Sequence, residues 1–213
     1  MNSHQRQQFF ARLAAAIPEP KTELRYRSAY QLLVAVVLSA QATDKSVNEA
    51  TRTLFRAAGT PARMVALGVD GVKQHIRRIG LFNTKAENVV RLSAQLSERH
   101  GGRVPRDRAA LEALPGVGRK TANVVLNTAF GEPTMAVDTH IFRVANRTGL
   151  APGKTPRQVE DGLLAATPAA YLHDAHHLLI LHGRYCCTAR RPNCATCPVA
   201  DLCAWPDKTA SAA

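Results

Sequence analysis

Several features that mark other protein classes are scarce in this sequence, and each scarcity disfavours one class of fold or of cellular location. Aromatic residues make up only 5% of the chain and runs of β-branched residues are few, which disfavours an all-β fold. The longest stretch without a charged residue runs from Ser28 to Thr43, whereas a membrane-spanning helix needs roughly 20 apolar residues. The apolar run from Leu13 to Ile17 is too short for a secretory signal. We therefore expect a helical, cytoplasmic protein with no membrane partner.

Cysteine is absent until late in the chain. All five cysteines fall in one short segment: Cys186, Cys187, Cys194, Cys197 and Cys203. Disulfides there would tie down only that tail, so a metal site in a reducing compartment is the better interpretation. Only Cys194 and Cys197 have the C-x2-C spacing of a zinc knuckle, so the spacing mildly favours iron–sulfur but leaves zinc open.

Acidic residues are also in deficit. Sixteen Asp and Glu stand against 28 Lys and Arg, which gives the 213-residue chain a net charge of +12. A field of this sign attracts polyanions, and nucleic acid ranks ahead of an anionic membrane surface as the expected partner. The 46% of hydrophobic residues can fill the core of one domain or of two small ones.

Apolar residues recur at helical spacing, with capping residues before them and glycine or proline after them. The predicted helices end near Ile17, begin after Ser28, begin after Thr43 or Asp44, run from Thr84 to Gly101, from Asp107 to Leu114, from Arg119 to Phe130, from Asp138 to Arg147, from Pro156 to Ala166, and from Ala169 to His182. The apolar run from Leu32 to Leu38 could also form a buried strand, but partner strands are lacking, which favours a helix.

Two clusters of helix-breaking residues predict domain boundaries. They are Pro18-Glu19-Pro20 and Gly131-Glu132-Pro133. We therefore expect a central helical domain over residues 21–132 and a discontinuous helical domain formed by residues 1–20 and 133–213.

A glycine-containing turn joins two of the predicted helices, over residues of about 107–130. Its glycines allow positive φ and close backbone approach, and the amides at the start of the second helix would point toward a phosphate oxygen. An ordinary turn with solvated basic side chains is the alternative. The pair Arg119 and Lys120, together with the net charge, favours phosphate binding.

Lys120 has two possible roles. A lysine near a helix N-terminus and amid other cations has a lowered pKa, and its neutral amine can attack a sugar C1′. On these grounds alone, a simple phosphate contact is the more common role for a basic residue in such a turn.

Four separated motifs together resemble the endonuclease III family of DNA repair glycosylases. The segment 114–122, LPGVGRKTA, is similar to the helix-hairpin-helix of that family, and the segment 137–140, VDTH, to its catalytic segment. From Cys187 the cysteines read C-x6-C-x2-C-x5-C, the family's pattern for a 4Fe-4S cluster. The segments 39–44 and 80–83 fall where family members carry DNA-contacting loops.

The resemblance implies an all-α, two-lobed helix-hairpin-helix glycosylase fold and a monomer that acts on duplex DNA. The expected activity is removal of oxidised pyrimidines followed by strand cleavage at the abasic site. Lys120 would displace the base and form a Schiff base with the sugar. Asp138, which is also an N-cap by type and spacing, would activate the attacking group and stabilise the positively charged sugar. His140 is expected to be structural or to lie beside a phosphate.

The resemblance also implies the remaining site residues. Gln41 would fill the gap left by the flipped base, and Leu81 would wedge the opposite side. The hairpin would contact DNA through Leu114, Pro115, Gly116, Val117, Gly118 and Arg119. The 4Fe-4S cluster would be held by Cys187, Cys194, Cys197 and Cys203. Cys186 departs from the family pattern and is either a spare thiol or a substitute ligand.

Two alternative functions stay open. An adenine or mismatch glycosylase on the same scaffold is disfavoured by Lys120 and by the lack of a long extension after Trp205. A non-enzymatic helix-hairpin-helix protein with a zinc-held tail is disfavoured by the combination of Lys120 with Asp138. His173 and His177 have i, i+4 spacing but lack the glutamate of H-E-x-x-H, so we expect core or surface histidines rather than a second metal site.

Overall fold

The computed structural model describes residues 1–208, and all regular structure in that range is helical. The α-helices are α1 (Ser3–Ala16), α2 (Ala29–Leu38), α3 (Asp44–Ala57), α4 (Pro61–Ile76), α5 (Phe82–His100), α6 (Arg108–Glu112), α7 (Arg119–Phe130), α8 (Thr139–Thr148), α9 (Pro156–Ala166) and α10 (Ala175–Tyr185). Short 3-10 turns cover Ala169–Tyr171 and Ala200–Leu202. The predicted all-α fold is confirmed. Up to residue 208, each helix is too short or too polar to span a bilayer.

The chain divides into two compact units. The central unit is Glu23–Gly131 and contains α2 to α7. The terminal unit combines Met1–Thr22 with the chain from Glu132 onward and contains α1 and α8 to α10. Residues 209–213 of the discontinuous domain expected from the sequence lie outside the described part of the chain.

Helix α2 forms the core of the central unit. It packs against α3, α5 and α7, and every residue from Leu32 to Leu38 is buried. A helix surrounded in this way is apolar on all sides, which explains why its sequence also resembled a buried strand. The phenol of Tyr30 and the hydroxyl of Ser93 hydrogen-bond at 2.7 Å and satisfy each other inside this core.

The terminal unit has its own core, built where α1 and α8 meet α10 and where α9 meets α8. Phe9 and Phe10 of α1 are fully buried in it, and the ring of Phe10 stacks on Tyr171 at a centroid distance of 5.8 Å. Met135 and Val137 are buried in the same core, and their segment leads directly into α8. The start of α8 is therefore anchored by packing on its N-terminal side.

Local capping explains where most helices begin and why the predicted start of one helix was wrong. Ser28, Thr43 and Asp107 accept amide hydrogen bonds as the predicted N-caps of α2, α3 and α6. The prediction that Thr84 caps α5 was wrong: the helix begins at Phe82, after Leu81, which has a left-handed conformation and makes no side-chain cap hydrogen bond.

Two other helices also departed from prediction. Helix α4, with N-cap Thr60, was not predicted, because its apolar pattern is interrupted by a kink at Gly68. Helix α10 begins at Ala175 rather than near Ala169, because a 3-10 turn occupies the earlier residues.

Candidate active site and metal centre

The predicted helix-hairpin-helix is formed by α6 and α7 and the turn between them. Leu114 and Val117 are buried beneath the turn, and the amide of Val117 donates to the carbonyl of Leu114 at 3.1 Å. Gly116 has φ +76°, and a Cβ there would lie 3.0 Å from the side chain of Asn88 on α5. Glycine is therefore required at Gly116 both by the backbone and by its neighbour.

Gly118 serves a different purpose from the one expected. Its φ of −99° and ψ of 177° are extended, so the prediction of positive φ there was wrong. It is the N-cap of α7, and glycine has no side chain to occupy the first amides of the helix. A helix start without a side-chain cap is the kind of place where an anion can bind, and the phosphate site expected at this turn stays a prediction.

Lys120 is the second residue of α7, and its side chain is exposed. Arg119, which precedes it, is half-buried and lies 4.0 Å from the carboxylate of Glu112 on α6. Lys120 therefore lies at the exposed start of α7.

Asp138 is the N-cap of α8, as predicted. Its Oδ1 accepts hydrogen bonds from the amides of His140 and Ile141, both at 2.9 Å. Because both amides bind one oxygen, the cap fixes the carboxylate while Oδ2 takes no part in it. The ring of His140 instead contacts the guanidinium of Arg143 at 3.2 Å, in line with a structural role.

Gln41 and Leu81 share an unusual backbone conformation. Within residues 1–208 they are the two non-glycine residues with positive φ, at 54° and 60°. Leu81 is also 61% exposed, which is rare for a large apolar side chain. The two turns lie side by side, since a Cβ on Gly80 would be 3.9 Å from the carbonyl oxygen of Gln41. Left-handed residues of this kind concentrate at binding and catalytic sites.

A pocket in the terminal unit collects all five cysteines. It is lined by Thr148, His182, Cys186, Cys187, Pro192, Asn193, Cys194, Cys197, Val199, Ala200, Cys203, Trp205 and Lys208. Four cysteines at the spacing of an iron–sulfur motif thus face one space, which fits a cluster held by thiolates. Nη1 of Arg147 donates a hydrogen bond to Sγ of Cys187 at 3.7 Å.

Helix α8 fastens the loop that carries these cysteines. Arg147 donates to the carbonyls of Thr188 and Ala189 at 2.7 and 2.9 Å, and its guanidinium lies 4.0 Å from the ring centroid of Trp205. Arg143 donates to the carbonyl of Cys187 at 2.9 Å. Sequence analysis missed both arginines, although their i, i+4 spacing places them on one face of α8.

Cys186 enters the same pocket as the four motif cysteines. Its Sγ, Sγ of Cys197 and a ring nitrogen of His182 lie within 4.8 Å of one another. In residues 1–208 this is the one set of three histidine, cysteine or acidic side chains close enough to share an ion. His182, which sequence analysis grouped with the other histidines, therefore lines the candidate metal centre.

The remaining histidines of that group are two buried side chains and one exposed side chain. His176 and His177 are buried and pack edge to face, with ring centroids 4.9 Å apart. Burial lowers the pKa of His177 to about 4, so its ring is neutral near pH 7. His173 is exposed and contacts Asp174 at 2.7 Å. Core and surface histidines were expected, and this is what the structure contains.

The predicted site residues fall into two groups. Gln41, Leu81, the hairpin and Lys120 belong to the central unit, whereas Asp138 and the cysteines belong to the terminal unit.

Comparison with known proteins agrees with this distribution of motifs. Residues 34–168 match the model of the HhH-GPD superfamily of base excision DNA repair proteins, and residues 187–203 match the iron-sulfur binding domain of endonuclease III. The second match begins at Cys187 and ends at Cys203.

Individual relatives extend the similarity to almost the whole chain. Endonuclease III of Escherichia coli (strain K12) is 60% identical over 98% of this chain and 99% of its own length. Endonuclease III of Haemophilus influenzae is 57% identical over the same shares. A solved structure of a trapped covalent intermediate of endonuclease III with DNA, an estranged-adenine complex, superposes with a TM-score of 0.90 at 42% identity and 96% coverage of both chains. On this evidence the chain belongs to the endonuclease III family, within the HhH-GPD superfamily of base excision DNA repair proteins.

Proposed function

We propose that this chain removes oxidised pyrimidines from duplex DNA and then cleaves the strand on the 3′ side of the abasic site. Its family membership makes it a DNA glycosylase and AP lyase of base excision repair. The observation that carries the proposal is the similarity to an endonuclease III trapped as a covalent intermediate with DNA. A covalent intermediate requires a nucleophile on the enzyme.

Lys120 supplies that nucleophile. Its neutral amine attacks C1′ as the glycosidic bond breaks, and the base leaves with the bonding electron pair. Opening of the sugar ring gives an imine, which acidifies the C2′ proton. Loss of that proton expels the 3′ phosphate by β-elimination. The exposed position of Lys120 on the first turn of α7 supports this role, because the amine is accessible to DNA.

Asp138 stabilises the positive charge that develops on the sugar. A carboxylate assists such a state most when it is already oriented. The two hydrogen bonds that main-chain amides donate to Oδ1 supply that orientation. The N-cap and the catalytic role therefore use the same geometry.

The central unit handles the DNA. A glycosylase must take its target nucleotide out of the stack before C1′ can be reached. Gln41 fills the resulting gap, Leu81 wedges the other side, and the amides around Gly118 bind a phosphate. The exposure of Leu81 and the left-handed backbone of both turns support this assignment.

A 4Fe-4S cluster is the cofactor. We assign Cys187, Cys194, Cys197 and Cys203 as its ligands, since the matched iron–sulfur domain covers residues 187–203. When bound, the cluster supplies a cross-link among four thiolates of a loop that has little core of its own.

Duplexes that each contain one altered base test the substrate class. We expect strand cleavage, without alkali, at thymine glycol and 5-hydroxycytosine, and no action on adenine opposite 8-oxoguanine. Release of that adenine, with strand breaks appearing only after alkali, would instead identify the adenine-glycosylase alternative. Binding without base release from any duplex would identify the non-enzymatic one.

A further inference from the structure

Lys85 is a buried lysine to which the chemistry above gives no role. It lies on the first turn of α5 and is 5% exposed, and burial lowers its pKa below the ordinary value. Its Nζ donates to the carbonyl of Ala40 at 2.6 Å, and its main-chain amide donates to the carbonyl of Leu81 at 3.0 Å. One residue therefore contacts both left-handed turns, directly before Gln41 and at Leu81 itself.

Placing an ammonium group there is costly, because a buried charge loses its hydration. A methionine or leucine of similar size would fill the same space without that cost. The carbonyl that Lys85 binds follows the end of α2, where the helix dipole is negative and a cation is favoured. The turn at Gln41 has one main-chain bond of its own, from the amide of Ala42 to the carbonyl of Ser39 at 3.0 Å.

We propose that Lys85 is a positioning residue that fixes the Gln41 turn against the Leu81 turn, so that both side chains enter the duplex in one preset arrangement. This inference rests on the proposed function, in which Gln41 and Leu81 occupy the distorted DNA. A preset pair of turns avoids the ordering cost that two mobile turns would meet on binding. Because Lys85 is buried, it acts through these turns and not through a phosphate.

The test compares two substrates that differ in whether a base must be displaced. The first is a duplex with one thymine glycol, and the second is a single strand with a preformed abasic site. Lys85→Met should slow single-turnover excision from the duplex by about tenfold, as expected for loss of a charge-assisted hydrogen bond. Cleavage of the single strand should keep its rate, since no stacked base has to be replaced. Lys73→Met, which removes an equal charge from α4, is the matched control and should leave both rates unchanged.

A double-mutant cycle with Gln41→Ala separates positioning from general stabilisation. If Lys85 acts through the Gln41 turn, the double variant should be no slower on the duplex than the slower single variant. The salt dependence of DNA binding should stay the same in Lys85→Met, because no phosphate contact is lost. If Lys85→Met does not fold, Lys85→Gln keeps a donor without the charge and should show the same difference between substrates to a smaller degree.

The possible failures are distinguishable. Equal slowing on both substrates, multiplicative effects in the double variant, or a normal duplex rate in Lys85→Met beside a slow Gln41→Ala would each overturn the inference alone. A normal duplex rate in Gln41→Ala would overturn the proposed role of Gln41 and this inference with it. Absence of excision by the unmodified protein would overturn the proposed function.

Discussion

Single residues in this protein combine an observed folding role with a proposed chemical one. Asp138 caps α8 through one carboxylate oxygen, and the buried segment Met135–Val137 holds it from the other side. An aspartate is a common N-cap, so the sequence alone made the structural role plausible. The catalytic role came from the similarity of the surrounding segment to a known family, because capping patterns carry no information about a substrate.

The two roles of Asp138 separate in Asp138→Asn. Asparagine caps a helix about as well as aspartate, so the free energy of unfolding should change by less than about 0.5 kcal/mol. Loss of the charge should slow base release by about 100-fold, since the carboxylate matters most when the sugar becomes positive. Single-turnover excision and urea unfolding measure the two effects. Asp161→Asn, on the exposed face of α9, is the charge-matched control. A large loss of stability with a normal excision rate would leave Asp138 as a cap only.

Single substitutions can also decide whether Cys186 or Cys187 is the first cluster ligand. Both line the pocket, so geometry alone does not separate them, and the choice of Cys187 rests on spacing. Cys187→Ser should lose most of the bound iron, whereas Cys186→Ser should retain it. Iron content and visible absorbance of the purified variants give the answer. Iron retained in Cys187→Ser and lost in Cys186→Ser would show that the neighbouring thiol is the ligand.

At the scale of elements, the helices that could be predicted are those with uninterrupted apolar spacing and a capping side chain. Helix α7 has the bounds that its sequence predicted, from Arg119 to Phe130. Helix α4 escaped prediction because Gly68, with φ +70°, breaks its periodicity. The predicted start of α5 was wrong because Leu81, which precedes the helix, has a left-handed backbone. Leucine rarely adopts this conformation, so its residue type gave no sign of it.

The N-terminus of α7 gives a prediction in which stability and binding move apart. Gly118 is extended, and a Cβ there meets no atom within 4 Å, so Gly118→Ser should fold and should gain only about 0.3 kcal/mol as a slightly better N-cap. The new hydroxyl would occupy an amide that we assign to a DNA phosphate, so affinity for abasic-site DNA should fall. Urea unfolding and fluorescence anisotropy measure the two effects.

Gly116→Ala is the contrasting variant. Because residue 116 has φ +76° and an added Cβ would lie 3.0 Å from Asn88, this variant should lose about 1–2 kcal/mol of stability.

Unchanged DNA affinity in Gly118→Ser would argue against phosphate binding by the hairpin.

At the scale of the molecule, the activity could be predicted from the sequence more fully than the packing of the architecture could. The hairpin, the VDTH segment and the cysteine spacing are local patterns, so they can be recognised in the sequence alone. What they do not contain is the packing that supports them: Lys85 beneath the two turns, and Arg143 and Arg147 against the cysteine loop. These contacts join residues about 40 positions apart or more, and short-range spacing does not report such pairs.

The excess of basic residues belongs to the same scale. A net charge of +12 draws the chain to DNA regardless of sequence, so weak binding by itself says little about the reaction. Chemistry has to be tested by a product that binding alone cannot form.

Borohydride trapping on Lys120 tests the central claim most directly. An amine that attacks C1′ leaves an imine, which borohydride reduces to a stable protein–DNA adduct, whereas a glycosylase that uses water leaves none. The unmodified protein should form this adduct with a thymine glycol duplex, with its mass change on the peptide that contains Lys120. Lys120→Gln should form no adduct and cut no strand while still binding abasic-site DNA, because the amide keeps much of the side chain's reach but cannot form an imine. An adduct that forms at the normal rate in Lys120→Gln would contradict the account and place the nucleophile on another amine.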